Sequence, residues 1–429
     1  MPEANQNFLF LQGPHGPFFS RLSEMLRAAG CKTWRVGFNK GDEVFWSRPE
    51  TYIAFSDVHD RWSETFENLV SEKHITDLVL YGDTRPIHAQ AIEIARKAGL
   101  GIHVFEEGYL RPYWVSYERG GSNGNSRLMG MSVAQMRADL DGADHGQTEA
   151  PASWGDMRQH IFYGALYHFF VMLWNRNYHA FRPHRALPVA KEFQLYIKRL
   201  LTLPLTTLER RIATIRIMRG GFPYHLCLLQ LEHDASFQAH SSFASMTDFL
   251  EVVIDGFAKG APSHHHLVLK AHPLEDGRVP LRKQIKALAR ANSISNRVHY
   301  VRGGKLARLL NSARSAVTVN STAAQQALWR GLPLKAFGAA VYDKPEFVSP
   351  QPLGDFFANP IRPDCRAYRD YRQYLLETSQ VPGGFYSAKG RRQLLRQVVD
   401  MMLSAEDPYD ALTSSTATPR QQLTLVRTR

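Results

Sequence analysis

Four short stretches hold the side chains best able to bind or attack a charged substrate. In HHLVLKAHPLEDG (265–277) a strand-like apolar run ends in Lys270, followed by His272 and Pro273, and the lysine and the imidazole can each contact a phosphate or carboxylate. In VTVNSTAAQQALWRG (317–331) a β-branched run meets Asn320, Ser321 and Thr322 just before the helix formers Ala323 to Trp329. Hydroxyls at a helix start leave backbone N–H groups and the positive end of the dipole facing outward, which suits a phosphate. The third stretch carries Asp234 beyond the apolar run Leu226 to Leu231, with Gln238 in the same polar loop. The fourth is the adjacent pair Glu106 and Glu107, followed by Gly108, Tyr109 and Arg111. A carboxylate pair at a strand's carboxyl end is expected to turn one member into a substrate crevice.

These residues need a frame that brings strand ends together. FLFLQGP (8–14) reads as a buried strand that breaks at Gly13, Pro14, His15, Gly16 and Pro17 before the helix-patterned Phe18 to Ala29. Strands follow at 33–38, at ITDLVLYGD (75–83), whose exit carries Asp83 and Arg85, and from Gly101 onward. The second half repeats the alternation, with strands at 226–231, 267–271, 297–304 and 316–319, the last returning as a strand before Gly338. Alternating strands and helices with right-handed crossovers give parallel sheets whose ligands sit at the carboxyl edge. The fold expected is α/β, with two Rossmann-like domains facing a cleft in the GT-B-type architecture of glycosyltransferases, the second domain holding the nucleotide. The divisions are 1–155 as a Rossmann-like acceptor-side domain, 156–220 as a basic and aromatic helical linker and 221–350 as a Rossmann-like nucleotide-sugar domain. Helices follow over 351–405, and 406–429 reads as a disordered tail.

The chain has 429 residues and a formal charge of +12, and much of the surplus is local: from Arg176 to Arg219 there are ten Lys/Arg against Glu192 and Glu209. Just before lies IFYGALYHFFVMLW (161–174), apolar and aromatic but short of the roughly twenty residues that span a bilayer. An aromatic stripe followed by cations fits a region resting on an anionic membrane surface. Nucleic acid is not the expected partner, because no recognition motif accompanies the charge. Three scattered cysteines, Cys31, Cys227 and Cys365, form neither a disulfide framework nor a metal spacing, and the first residues lack a signal-peptide pattern. A cytoplasmic location, peripheral at the inner face of the membrane, is the expectation. No GxGxxG follows the first strand, and neither a P-loop nor a Gly-x-Ser-x-Gly elbow occurs, so dehydrogenase, NTPase and hydrolase readings lose their usual support. The nearest Asp-x-Asp, Asp139-Leu140-Asp141, lies in a polar loop, so no metal and no cofactor are expected.

LQGPHGPFF (11–19), FNKGD (38–42), LYGDTRPIHAQA (80–91), HVFEEGYLRP (103–112), LQLEHDASFQAHSSF (229–243), KAHPLEDG (270–277), VNSTAAQQAL (319–328) and GLPLKAFGAAVYD (331–343) together resemble the capsule polysaccharide biosynthesis protein family. That family includes β-Kdo transferases of lipid-anchored bacterial capsules, which are similar to sialyltransferases in using a His-Pro and a Ser/Thr motif for a CMP-activated acidic sugar. The resemblance implies that His272 and Pro273, with Ser321 and Thr322, hold CMP, assisted by Lys270 and Asn320. It implies Asp234 as the nucleophile of a retaining transfer, and Glu106 or Glu107 as acid/base or orienting carboxylate. Gly13, His15, Asp83, Arg85, Arg111 and Gln238 would line the acceptor side and the rest of the cleft. The activity implied is transfer of β-Kdo from CMP-Kdo to a phosphatidylglycerol-type glycolipid or a Kdo linker. A capsule assembly or export complex is the implied protein partner. The family is also concerned with export, so a non-catalytic polysaccharide-binding or export role stays open, as does a GT-B transferase with another nucleotide sugar. The usual Lys-His-His-Pro wording is Lys-Ala-His-Pro in this chain.

Overall fold

A computed structural model describes residues 6–140, 156–180, 189–275 and 277–414. They form two compact units: the described residues of 6–130, 134–193 and 372–414 make the first, and those of 131–133 and 194–371 the second. No helix among the described residues is long and apolar enough to cross a membrane.

The first unit holds a seven-stranded sheet. Its strands are β1 (Asn7–Phe10), β2 (Lys32–Gly37), β3 (Tyr52–Ala54), β4 (Asp77–Tyr81), β5 (Gly101–Glu107), β6 (Trp114–Arg119) and, from far along the chain, a last edge strand (Gln380–Pro382). Spatially β5-β4-β1-β2-β3 are parallel neighbours, the Rossmann order, with the strand order reversing between β1 and β4. β6 and the edge strand add antiparallel to β5. The strand expected from Gly101 onward stops at Glu107. The chain then turns at 108–113 through a cis Arg111-Pro112 bond, and β6 returns beside β5. Alternate residues of β1, β4 and β5 feed two cores. Phe8, Phe10, Val79 and Phe105 pack with Phe18, Phe19 and Leu394 on one face, and Leu9, Leu78, Leu80 and Val104 with Trp62 and Phe66 on the other.

The second unit's five strands are all parallel: β7 (Tyr224–Leu228), β8 (His266–Lys270), β9 (Val298–Val301), β10 (Ala313–Thr318) and β11 (Leu334–Ala336), in the order β11-β10-β7-β8-β9. This is again the Rossmann order, with its switch point between β7 and β10. The edge strand Gln380–Pro382 is β12 of the chain.

Two expectations need correcting. The 156–220 linker is not one body: helix Asp156–Trp174 belongs to the first unit, and helix Val189–Arg219 passes from the first into the second. The tail is ordered as far as 414, because helix Pro408–Thr413 buries Tyr409 and Leu412; residues 415–429 lie outside the described residues.

Candidate functional site

In the second unit, the loops leaving β7 and β10 meet at the switch point and are locked to each other. Gln230 Nε2 donates to Asn320 Oδ1 (2.7 Å), and the Asn320 backbone N–H returns to Gln230 Oε1 (3.0 Å). Asn320 Nδ2 donates to the carbonyls of Ser236 (2.9 Å) and His240 (3.2 Å). The buried Asn320 side chain is thus engaged in bracing the 234–240 segment, a positioning job for a residue expected among the donor ligands. Gln230 was not singled out from sequence; its only signal was a polar residue within the apolar run Leu226 to Leu231, two residues past the end of β7.

The braced segment carries Asp234. It is half-buried and caps the one-turn helix Ala235–His240, its Oδ1 accepting from the Ser236 backbone N–H at 3.2 Å. The neighbouring Glu232 caps helix Met246–Gly260 through the Met246 N–H (2.8 Å), so the two carboxylates of this loop have separate partners. Gln238 is exposed on the same turn.

After β10, Ser321 Oγ accepts from the Ala323 N–H (3.3 Å). The helix expected over 323–329 opens instead as a 3-10 turn, Thr322–Ala324, followed by α-helix only over Gln325–Leu328. Gly331 closes it with a positive φ of 65°. So short an element has a weaker dipole than the full helix expected, and the Ser321 and Thr322 hydroxyls carry more of any anion binding.

β8 ends in Lys270, whose side chain is 6% exposed, with Nζ donating to the Ala271 carbonyl at 3.3 Å. Burial, reinforced by the charge of Arg210, lowers its pKa to about 8. Arg210 comes from helix Val189–Arg219, and its Cδ lies 2.9 Å from where a Cβ on Gly303 would sit, so its side chain passes directly over that glycine. Two cations therefore converge at the carboxyl ends of β8 and β9. Arg210 was missed as a site residue because its sequence neighbourhood reads only as a basic run. His272 Nδ1 accepts from the Leu274 N–H (3.1 Å), which leaves the proton of the neutral ring on Nε2; Pro273 is exposed beside it.

In the first unit, the loops after β1 and β4 meet at that sheet's switch point. Gln12 joins them, donating to Asp42 Oδ2 (3.0 Å) and accepting from Arg85 (3.4 Å). Asp42 also accepts from the Phe38 N–H (3.0 Å) and lies 3.6 Å from buried Arg35. Gly13 is obligatory, since a Cβ there would approach the Phe19 ring to 2.5 Å. His15 stacks on Tyr167 of helix Asp156–Trp174 (4.1 Å between ring centroids), and Tyr167 in turn accepts from Asn39 Nδ2 (2.6 Å). That aromatic helix accordingly packs its inner face over the β1 and β2 loops, leaving Phe162, Leu173 and Trp174 exposed.

Asp83 is buried and holds the 122–125 loop, accepting from the Ser122 N–H (2.8 Å) and Asn125 Nδ2 (3.1 Å). The paired glutamates take opposite faces of β5. Glu107 accepts from Tyr81 (3.5 Å) and Tyr386 (3.3 Å), whereas Glu106 Oε2 lies 3.1 Å from the Cβ position above Gly82, at the β4 exit. Glu106 is the one beside the switch-point loop. Arg111 is exposed, with Nε donating to the Gly108 carbonyl (3.2 Å). One buried carboxylate escaped the sequence reading: burial raises Glu118 to a pKa of about 7, while hydroxyls of Tyr109, Ser126 and Tyr409 all donate to it. It ties β6 to helix Pro408–Thr413.

Among the described residues no group of three or more His, Cys, Asp or Glu side chains could hold a metal ion. Asp139 accepts from Tyr374 (3.3 Å), and Asp141 lies outside the described residues.

Comparison with known proteins adds the following. The model of the family described as "Capsule polysaccharide biosynthesis protein" matches residues 76–386. The Escherichia coli capsule polysaccharide export protein KpsS is 29% identical over 386 residues, covering 89% of this chain and 97% of that protein. The capsule polysaccharide modification protein LipB of Neisseria meningitidis serogroup A is 31% identical over 409 residues, covering 90% and 93%. Among solved structures, the β-Kdo 2,7 transferase KpsC of Thermosulfurimonas dismutans aligns over 92% of this chain and 100% of that one, at 11% identity and a TM-score of 0.43. With a matching family model over most of the chain and a relative above 30% identity along nearly its whole length, this chain belongs to the capsule polysaccharide biosynthesis protein family.

Proposed function

We propose that the protein is a retaining glycosyltransferase of capsular polysaccharide biosynthesis that moves β-Kdo from CMP-Kdo to a phosphatidylglycerol-type lipid or a Kdo linker. The observation that carries this reading is the second unit's carboxyl edge, where Asp234, Lys270, His272 and Ser321 leave three adjacent parallel strands, β7, β8 and β10. Lys270, Arg210 and the Nε2–H of His272 supply positive charge and donors for the phosphate of CMP, and Ser321 and Thr322 supply hydroxyls. Asp234 attacks the anomeric carbon as its bond to the phosphate oxygen breaks, and CMP leaves with the electron pair. The acceptor hydroxyl then attacks the same carbon, displaces Asp234 and gives its proton to a base. Two inversions retain the β configuration.

Calorimetric titration with CMP, UMP, UDP and GDP tests the donor. CMP is expected to bind selectively, and His272→Ala to weaken it by roughly tenfold, the worth of one charge-assisted hydrogen bond. Affinity should also fall as the pH rises through about 8, where Lys270 loses its proton. Selective UDP or GDP binding would sink CMP-Kdo as donor. Absence of any nucleotide binding would favour the non-catalytic alternative suggested by the word "export" in the name of the E. coli relative.

A lipid acceptor calls for a membrane-facing surface, and helix Val189–Arg219 offers one. Leu201, Leu205, Leu208, Ile212 and Ile215 recur at spacings of four and three, and all are exposed, Leu201 to 77% and Leu205 to 72%. Arg211, Arg216 and Arg219 flank the stripe, a charge pattern that repels a second copy and attracts anionic lipid. Flotation with phosphatidylglycerol vesicles should recover the protein. Leu205→Glu with Leu208→Glu should cut the partition by on the order of a hundredfold, from about 1.5 kcal/mol per leucine. Equal recovery with phosphatidylcholine vesicles, or no loss in the double variant, would remove the membrane reading.

A further inference from the structure

Outside the switch point, the second unit carries a groove that the donor reading does not use. β9 is the edge strand of the sheet, and helix Leu281–Ala291, LRKQIKALARA, packs beside it. Leu281, Ile285 and Ala289 face inward and are buried, which leaves Arg282, Lys283, Lys286 and Arg290 on the outer side. All four are cationic, and the helix contains no acidic residue. With Arg302, just past β9, they line a concavity of about 630 Å³. Its apolar surface comes from Leu281, Ala287 and Tyr300 among others, and among the described residues Glu275 is the one carboxylate in the lining.

A solvated helix face normally offsets its cations one turn away. The neighbouring helix Met246–Gly260 does so, with Lys259 on Asp255 at 2.8 Å, and helix Pro86–Lys97 does so with Lys97 on Glu93 at 2.7 Å. In the groove, Arg282 and Arg302 share a single carboxylate, Glu209, the former hydrogen-bonded and the latter 3.7 Å away. Lys283, Lys286 and Arg290 form no ion pair among the described residues. Residues 282, 286 and 290 recur every ~6 Å along the helix axis, so the cations form a row of about 12 Å whose 286–290 part has no carboxylate partner among the described residues. Row and floor differ in kind: cations stand along one side, and the Tyr300 ring, with the Arg282 guanidinium 5.9 Å from its centroid, lies against the other.

We propose that this groove binds an acidic glycan, a short stretch of carboxylate-bearing sugars whose charges lie along the 282–286–290 row and whose apolar ring faces rest on Tyr300 and Ala287. A chain of bare phosphates would satisfy the row and leave the floor uncovered. A neutral oligosaccharide would use the floor and leave the cations uncompensated. The inference stands on the groove alone and does not require the CMP assignment.

The test is fluorescence anisotropy of end-labelled tetragalacturonate with the full chain, against labelled maltotetraose and an eight-residue oligothymidylate. The acidic tetramer should bind, weaken with added salt, and exceed maltotetraose by at least roughly tenfold. Lys286→Ala with Arg290→Ala, both at the protein surface, should lose about tenfold in that affinity while circular dichroism and the CMP titration stay unchanged. The proposal is overturned if the acidic tetramer does not bind, if the double variant binds it as well as the parent, or if the oligothymidylate binds more tightly.

Discussion

Asp234→Asn is expected to abolish sugar transfer, with kcat falling at least ~10³-fold, while CMP affinity and thermal stability stay close to those of the parent. Asparagine is the informative replacement because of what Asp234 does locally. Its Oδ1 accepts the Ser236 N–H and caps helix Ala235–His240. An alanine would remove that cap, at a cost of about 1 kcal/mol, and any lost activity could then be blamed on a displaced loop. Asparagine keeps an equivalent oxygen for the cap and loses only the negative charge that would bond to the anomeric carbon. Gln230 and Asn320 would still brace the segment from the β10 side, and their contacts do not involve the Asp234 side chain. The proposed phosphate ligands Lys270 and His272 leave β8, on the other flank of β7, so the nucleotide Kd is a control for the fold of the site. Retention of more than a tenth of the parent's turnover would move the nucleophile to another group. The result would also separate the two readings of the family, because a non-catalytic export protein has no turnover to lose.

The elements that carry this chemistry were legible because they are buried on both faces. β7, β8, β4 and β10 each appear as short apolar runs, and such runs mark parallel strands covered by helices. Their polar exits place Asp234, Lys270 and Ser321 at one sheet edge from the sequence pattern alone. β6 was hidden because WVSYER mixes polar and apolar residues and follows β5 after only six residues, so the two merged into one strand. β12 was hidden because it is three residues long and pairs with β6 across more than 260 residues of sequence. Buried ions were the least legible. Arg35, Asp42 and Glu118 look in sequence like any solvated charge, and only the tertiary fold supplies the partners that permit their burial. Asn320 shows the converse: its place beside Ser321 suggested ligand contact, and the structure engages its amide with neighbouring loops.

Acid should loosen the second unit well before its carboxylates protonate, through histidines at the amino-terminal edge of its sheet. His225, fully buried on β7, bonds through Nδ1 to Ser315 Oγ (2.8 Å) and through Nε2 to His265 Nδ1 (3.0 Å). Burial, then the proximity of His265, lowers its pKa to about 3; burial likewise lowers His265 and His299 to about 4. The linkage has a definite sign. Well above pH 6.5 neither the folded nor the unfolded chain protonates these rings, so the stability is at its full value. As the pH falls below the unfolded value of 6.5, the unfolded chain takes up protons that the folded one excludes, and stability declines until the folded pKa is reached. The slope is about 1.4 kcal/mol per pH unit for each fully excluded ring, so His225 alone could remove on the order of 4 kcal/mol between pH 6.5 and 3. His265 and His299 add to this with smaller weight, since their surroundings are less completely dry. Hydrogen exchange read peptide by peptide resolves the two units. Opening free energies of the β7 and β8 amides should fall from pH 7 to pH 5 while those of β1 and β4 hold or rise, because in the first unit Glu118, raised to about 7, takes up its proton in the folded chain, and Asp77, held below its ordinary pKa despite burial by His103, titrates only in stronger acid. His225→Gln, which offers an amide to Ser315 without a proton to gain, should flatten the β7 response by about one proton. Level values for β7 and β8 across that range would show that these rings already carry their protons in the folded chain.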